Sequence, residues 1–273
     1  MRGQLPGSPP PSKDKNGEKG RNELDELDLL LDRNYVCPVC DNELKVKDIR
    51  PGKARPNGMD MDLRPRFMNI DVLKYRVIEC PACGYADLSK TFTRVMEKER
   101  KVLLEKRIRY EQEKPSEEEY VREYADAYRY YKSALRCCLI RGAKSSKRGL
   151  TALYAAWLLR GWREKLREDG FMVAPNDVMG IDEERKLIKY ALRNLKDADM
   201  GESYPINEMD EGTLQYLLAA LCYMQDEINE AYGYVSKALF DRGLKPNIRP
   251  MAEDLRDDIK AKRRAMQYKE PAD

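Results

Sequence analysis

Two Cys-x-x-Cys pairs, Cys37-Pro38-Val39-Cys40 and Cys80-Pro81-Ala82-Cys83, carry the clearest chemistry in this chain. Four thiolates in two such pairs can close a tetrahedral shell around one soft metal ion, and the spacing is that of structural sites. The chain has no histidine. The commonest general base and the usual ligand of open zinc sites are therefore missing, which excludes most triad and metallohydrolase mechanisms. The expected ligands are Cys37, Cys40, Cys80 and Cys83, and the expected ion is Zn2+. A rubredoxin-like iron centre uses the same four sulfurs and stands as the alternative. A dithiol redox site would need a single motif at a helix N-terminus beside a βαβ unit, whereas here there are two motifs and no such unit.

The elements that must position these cysteines are short strands. Tyr35-Val36 leads into the first pair, Leu44 to Ile49 follows it, and Tyr75 to Glu79 leads into the second; Pro51 to Pro65 between them cannot be regular throughout. This is the pattern of a zinc ribbon, in which each cysteine pair is a tight turn whose backbone amides point at sulfur. A residue tolerant of positive φ is wanted just past each second cysteine, and Asp41 and Gly84 stand there. The nearby Lys45, Lys47, Arg50, Lys53 and Arg55 form a candidate phosphate-binding face. Alternating lysines on a strand also protect a solvated edge, and Asp48, Asp60, Asp62 and Asp71 lie close in sequence, which favours the edge. Asp60 and Asp62 are expected to pair locally with Arg64 and Arg66 rather than to form a catalytic dyad.

The chain is 273 residues long, enough for one large or two small domains. Charged residues make up 36%, yet they cancel to a net +3, so global charge names no partner. No apolar run approaches the roughly 18 residues of a membrane span and the first thirty lack the apolar core of a secretory signal. A cytoplasmic location and no membrane partner are expected. Cys137, Cys138 and Cys222 lie within apolar helical patterns and read as packing residues.

After residue 90 the pattern becomes helical. Phe92, Val95, Met96, Val102 and Leu103 mark one face of a long charged helix; Pro115 and the capping box Ser116 to Glu119 open a second, carried by Tyr120, Tyr124, Ala127, Tyr131, Ala134 and Cys138. Further helices are expected around Leu150 to Leu158, Leu187 to Leu195, Leu214 to Met224, Ile228 to Phe240 and Met251 to Gln267. Small residues at helix crossings, best seen over Gly212 to Pro246 in Leu218, Ala219, Cys222, Ala231, Val235 and Ala238, suggest a tetratricopeptide-like stack, with the last helix as its solvating cap. The expected fold is mainly α, with an N-terminal β zinc ribbon followed by a tetratricopeptide-like helical repeat domain. Its divisions are a disordered tail over 1–22, an acidic lead-in over 23–33 that suits either a short helix or a solvated approach to the first strand, the ribbon over 34–90 and the helical domain over 91–268. Tyr120, Tyr124, Tyr128 and Tyr131, with Tyr130, Arg122 and Arg129 among them, are the candidate surface for a protein or peptide partner; the interleaved arginines also suit base stacking.

Three segments bear a family likeness: Tyr35-Val36-Cys37-Pro38-Val39-Cys40, Asp60-Met61-Asp62-Leu63-Arg64-Pro65-Arg66-Phe67, and Tyr75 through Cys80-Pro81-Ala82-Cys83-Gly84-Tyr85-Ala86. In these the chain resembles the bacterial family called domain of unknown function 2225, whose members look like a zinc ribbon followed by tetratricopeptide-like helices. The likeness extends more loosely to Ala155-Ala156-Trp157-Leu158, and nothing carries over to residues 1 to 30. It implies metal ligands at the four cysteines and a cytoplasmic bacterial home, and it implies no activity. The function expected is a metal-stabilised scaffold that binds a protein or peptide segment without catalysis. The alternatives are a nucleic-acid-binding ribbon and an iron redox protein.

Overall fold

Each cysteine pair forms the turn of a β-hairpin. In the computed structural model, which describes residues 26–106, 121–171 and 180–267, β1 (Leu30–Val36) pairs antiparallel with β2 (Glu43–Ile49) across the first pair. Strands β5 (Val77–Glu79) and β6 (Ala86–Leu88) do the same across the second. Asp32 stands directly opposite Lys47 and is bonded by both Lys47 and Lys45 at 3.0 Å, and Arg33 reaches Asp48 at 2.7 Å. These cross-strand charges hold the β1–β2 register.

Two expectations are sharpened here. The acidic lead-in is a 3-10 turn over Glu26–Leu29 and then strand, not a helix, because Leu29 and Leu30 are buried against Ile70, Val72 and Tyr75 and Glu26 accepts from Lys74 Nζ and Tyr75 Oη at 2.8 Å. The Pro/Gly-bearing stretch contains a third hairpin, β3 (Pro56–Met59) with β4 (Pro65–Phe67). Tyr75 ends a 3-10 turn, Val72–Tyr75, in which Asp71 accepts from the Leu73 amide.

Seven α-helices follow among the described residues: α1 (Glu97–Glu105), α2 (Tyr124–Ile140), α3 (Ser145–Glu168), α4 (Ile181–Gly201), α5 (Glu211–Met224), α6 (Ile228–Phe240) and α7 (Arg249–Gln267). The first is shorter than its apolar face suggested, since Phe92 already turns inward ahead of it. The Ser116 to Glu119 capping box lies outside the described residues. Helices pack against their sequence neighbours, most closely α3 with α4 and α5 with α6. Gly149 permits the first crossing: a Cβ there would lie 2.9 Å from Leu195 Cγ and 3.2 Å from the Ala191 carbonyl oxygen. Helix α5 is apolar all round, and every residue from Gly212 to Cys222 is buried, as a central helix requires. Helix α7 buries Ala252, Leu255 and Ile259 and turns its charged faces outward.

The boundary expected near residue 90 separates strands from helices, but packing crosses it. Leu73, Val77, Ala86 and Leu88 share one core with α2 to α7. A second cluster joins Val39, Leu44, Ile78, Tyr85 and Phe92 to Leu103 of α1 and Cys137 of α2 around the cysteine pairs. Among the described residues no helix is long and apolar enough to cross a membrane.

Candidate metal centre

Both cysteine turns are built by the same two backbone bonds. The amide of Cys37 donates to the Asn42 carbonyl at 2.9 Å and that of Asp41 to the Cys37 carbonyl at 3.0 Å; in the second turn Cys80 N donates to Tyr85 O at 2.7 Å and Gly84 N to Cys80 O at 2.9 Å. Closing such a turn needs a residue with positive φ after the second cysteine. Asp41 (φ 59°) and Gly84 (φ 72°) supply it, as their positions predicted. The turns then aim amides at sulfur: Val39 and Cys40 donate to Cys37, Ala82 and Cys83 to Cys80, and Tyr85 to Cys83.

The four sulfurs converge. Cys37 Sγ lies 3.7 Å from Cys83 Sγ and Cys40 Sγ lies 3.6 Å from Cys80 Sγ, and all four fall within 4.8 Å of one another. Cys37, Cys80 and Cys83 are buried and Cys40 is half-buried. Thiols this close cannot all ionise on their own. Hydrogen bonding with Cys37 and Cys83 pulls the Cys80 thiol down to about 2, while hydrogen bonding with Cys80 pushes Cys37 up to about 12 and hydrogen bonding with Cys37 holds Cys83 far above its ordinary value. A cation is what allows four thiolates to coexist, so the cluster could bind a metal ion.

The surroundings hold the turns in place. Arg100 of α1 donates to the Val39 carbonyl at 3.1 Å and to Asp41 at 2.5 Å, pinning the first turn to that helix. Tyr85 packs on Phe92 and donates to its carbonyl at 3.0 Å, and Cys137 of α2 accepts from the Ala86 amide at 3.4 Å.

With this geometry in place, the comparison with known proteins is specific. A family model described as an uncharacterized protein conserved in bacteria, domain of unknown function 2225, matches residues 30–259. The chain belongs to that family. The match to domain of unknown function 2225 takes in both cysteine pairs, the hairpins around them and the helices through most of α7. No curated protein and no solved structure matches the chain.

The tyrosines nominated for a partner do not line an open groove. Tyr131 is fully buried, its hydroxyl donating to the Leu73 carbonyl at 3.0 Å; Tyr124 donates to Asp71 at 3.1 Å and Tyr128 to Glu183 at 3.0 Å. Tyr130 is stacked by Arg122 (4.6 Å) and Arg129 (4.5 Å) of its own chain, and Tyr120 lies outside the described residues. Helical spacing placed Tyr124 and Tyr131 on one face, but could not show that these two meet residues 71–73. Arg122, itself buried, closes that contact with bonds to the Lys74 and Val77 carbonyls at 2.8 and 2.9 Å. Of the basic residues considered for phosphate, Lys45 and Lys47 are both committed to Asp32.

Asp60 does pair locally, with Arg66 at 2.5 Å and Arg64 at 3.6 Å. Asp62 does not. It is 1% exposed and accepts from Trp157 Nε1 at 2.9 Å and from Arg160 at 3.0 and 2.8 Å, so it ties the β3–β4 turn to α3. Glu164 of α3 receives Arg64 and Arg66 at 2.9 Å, and Tyr216 of α5 donates to the Met61 carbonyl at 2.7 Å. The same hairpin therefore lies over both helices.

Beside it is a feature the sequence did not announce, a cavity of about 200 Å3 between the turn, α3 and α5, lined mainly by Leu63, Leu150, Leu153, Trp157 and Leu217 with Arg76 among its polar groups. Its residues come from five separate stretches of chain, so no local motif marks it.

Proposed function

We propose that this protein is a zinc-ribbon scaffold: the cysteine turns bind one zinc ion, and the ribbon is locked against a tetratricopeptide-like helical stack that presents the assembly to a protein or peptide partner in the cytoplasm. The observation that carries the reading is the convergence of four sulfurs from two equivalent turns. A zinc ion with Zn–S bonds of about 2.3 Å at the centre of a tetrahedron sets sulfurs about 3.8 Å apart, close to the 3.6 and 3.7 Å separations here. Four thiolates complete that shell and leave no position for substrate, which favours a structural role. The metal would offset what a short, strand-poor segment cannot bury by itself.

A non-catalytic role is supported by the buried charges. Asp87 is held by Arg141 at 2.9 Å and Lys147 at 2.6 Å, and Glu184 by Arg160 at 2.9 Å and by Arg163, so these acids are committed to ion pairs. The stack-like reading rests on the succession of neighbouring helices and the small residues at their crossings, with α7 in the position of a cap. Tyr124, Tyr128 and Tyr131 are engaged within the chain, so they do not by themselves define the surface for that partner.

The test is metal content. Protein purified anaerobically should contain one zinc per chain and be colourless, and Cys80→Ser should lose the metal and the order of β5 and β6. A red protein would replace zinc with iron, and a metal-free wild type would end the proposal.

A further inference from the structure

The cavity beside the β3–β4 turn has the composition of a ligand site rather than of a packing fault. Its walls are apolar side chains of the turn, α3 and α5, and one polar group is ionised, the guanidinium of Arg76. Arg76 lies 5.0 Å above the ring of Tyr154, a second lining residue, and donates to its hydroxyl at 3.3 Å. Stacking of that kind fixes the plane of a guanidinium and leaves its other N–H groups free to bind. Among the described residues no carboxylate lies within 4.0 Å of it, although Arg64, Arg66, Arg141, Arg160 and Arg163 all have such partners. Glu208, which follows the lining residue Asn207, is already bonded by Lys90 at 2.9 Å.

Backbone conformation concentrates at the same place. Leu63 (φ 63°) and Asn207 (φ 50°) both line the cavity, and Glu208 (φ 68°) follows. A leucine in the left-handed region is an outlier, and here it directs an apolar side chain into the cavity wall at the tip of a turn where glycine would relieve the strain.

We infer that this cavity binds a small carboxylate with an apolar tail, the carboxylate paired with Arg76 and the tail received by Leu150, Leu153, Trp157 and Leu217. Size sets the class. An apolar cavity of roughly 150 Å3 takes a benzene ring, so about 200 Å3 suits one ring or a short branched chain and is too small for a nucleotide. Such a group could be a free acid or the last residue of a polypeptide, whose chemistry at Arg76 is the same. This site is independent of the ion held by the cysteines.

Calorimetric titration of the metal-loaded full chain with 3-phenylpropanoate, 3-phenylpropanamide and N-acetylphenylalanine tests the assignment. The acid should bind at least tenfold more tightly than the amide, and Arg76→Gln should remove that preference while leaving the fold intact, because among the described residues the guanidinium holds no ion pair. Leu150→Trp, which fills the cavity from a half-buried position, should abolish binding of both. Binding of N-acetylphenylalanine as tight as that of the free acid assigns the site to a chain end; its failure assigns it to a free acid. Equal affinity for acid and amide, no binding of any of the three, or binding unchanged in both variants overturns the inference.

Discussion

Gly161 on α3 lies against residues of the hairpin region, and replacing it tests the arrangement directly. A Cβ at this position would stand 2.5 Å from Asp71 Oδ2 and 2.7 Å from a terminal nitrogen of Arg64. Neither neighbour can move cheaply. Arg64 is 5% exposed and bonded to Glu164 at 2.9 Å, while Asp71 caps the Leu73 amide at 3.0 Å and accepts from Tyr124 at 3.1 Å. Overpacking of this kind costs about 1–3 kcal/mol, against a gain of about 1 kcal/mol when alanine replaces glycine inside a helix. Gly161→Ala should therefore be destabilised by up to about 2 kcal/mol, a fall in melting temperature of roughly 2–4 °C per kcal/mol for a chain of this size. Gly233 of α6 is the control, because a Cβ there would meet nothing within 4 Å; Gly233→Ala should gain up to about 1 kcal/mol. Both are compared with wild type by denaturant melts in excess zinc. If Gly161→Ala is as stable as Gly233→Ala, the hairpin region does not dock on α3 as described.

Asp62→Ala should cost about 1–3 kcal/mol, because it leaves the buried Trp157 indole N–H without its acceptor and removes one of the carboxylates that hold Arg160, which keeps Glu184 and Asp60, whereas Asp62→Asn should cost less; equal melts for the two would refute the role. Burial raises the Asp71 carboxyl above its ordinary 3.8. The folded state then holds the proton more tightly than the unfolded one, so this group's contribution is full below pH 3.8 and is lost as pH rises through the raised value. The stability of Asp71→Asn relative to wild type should accordingly increase over that window, and a constant difference would contradict it. Burial also pushes the Cys137 thiol up to about 11 and Cys222 to about 12. Iodoacetamide at pH 7.5 should leave both unmodified in the metal-loaded protein, and chelation should release the half-buried Cys40 ahead of Cys222; the reverse order, read by peptide mass spectrometry, would show that Cys222 is not packed as described.

What could be read in advance was whatever depends on a few residues close together in the chain. The cysteine turns were legible because sulfur spacing and a residue tolerant of positive φ are local requirements, and α3 to α7 were legible because apolar periodicity repeats over many residues. The acidic lead-in stayed open between helix and strand approach for the complementary reason. Its leucines fit helical spacing, but pairing with β2 and burial of Leu29 and Leu30 against the Val72–Tyr75 turn outweigh that weak preference.

By itself the sequence determined that four thiols would form one cluster that could bind a metal ion, that histidine chemistry is absent, and that most of the chain is helical. Tertiary structure alone decided that Tyr124 and Tyr131 meet residues 71–73, that Asp62 reaches α3 instead of its neighbours, and that Arg76 is left over a ring beside an apolar cavity. Each of those outcomes depends on which surfaces meet between segments far apart in the chain, such as Asp62 with Arg160. No local pattern encodes that choice, because it is made by the burial and charge pairing of the whole chain at once.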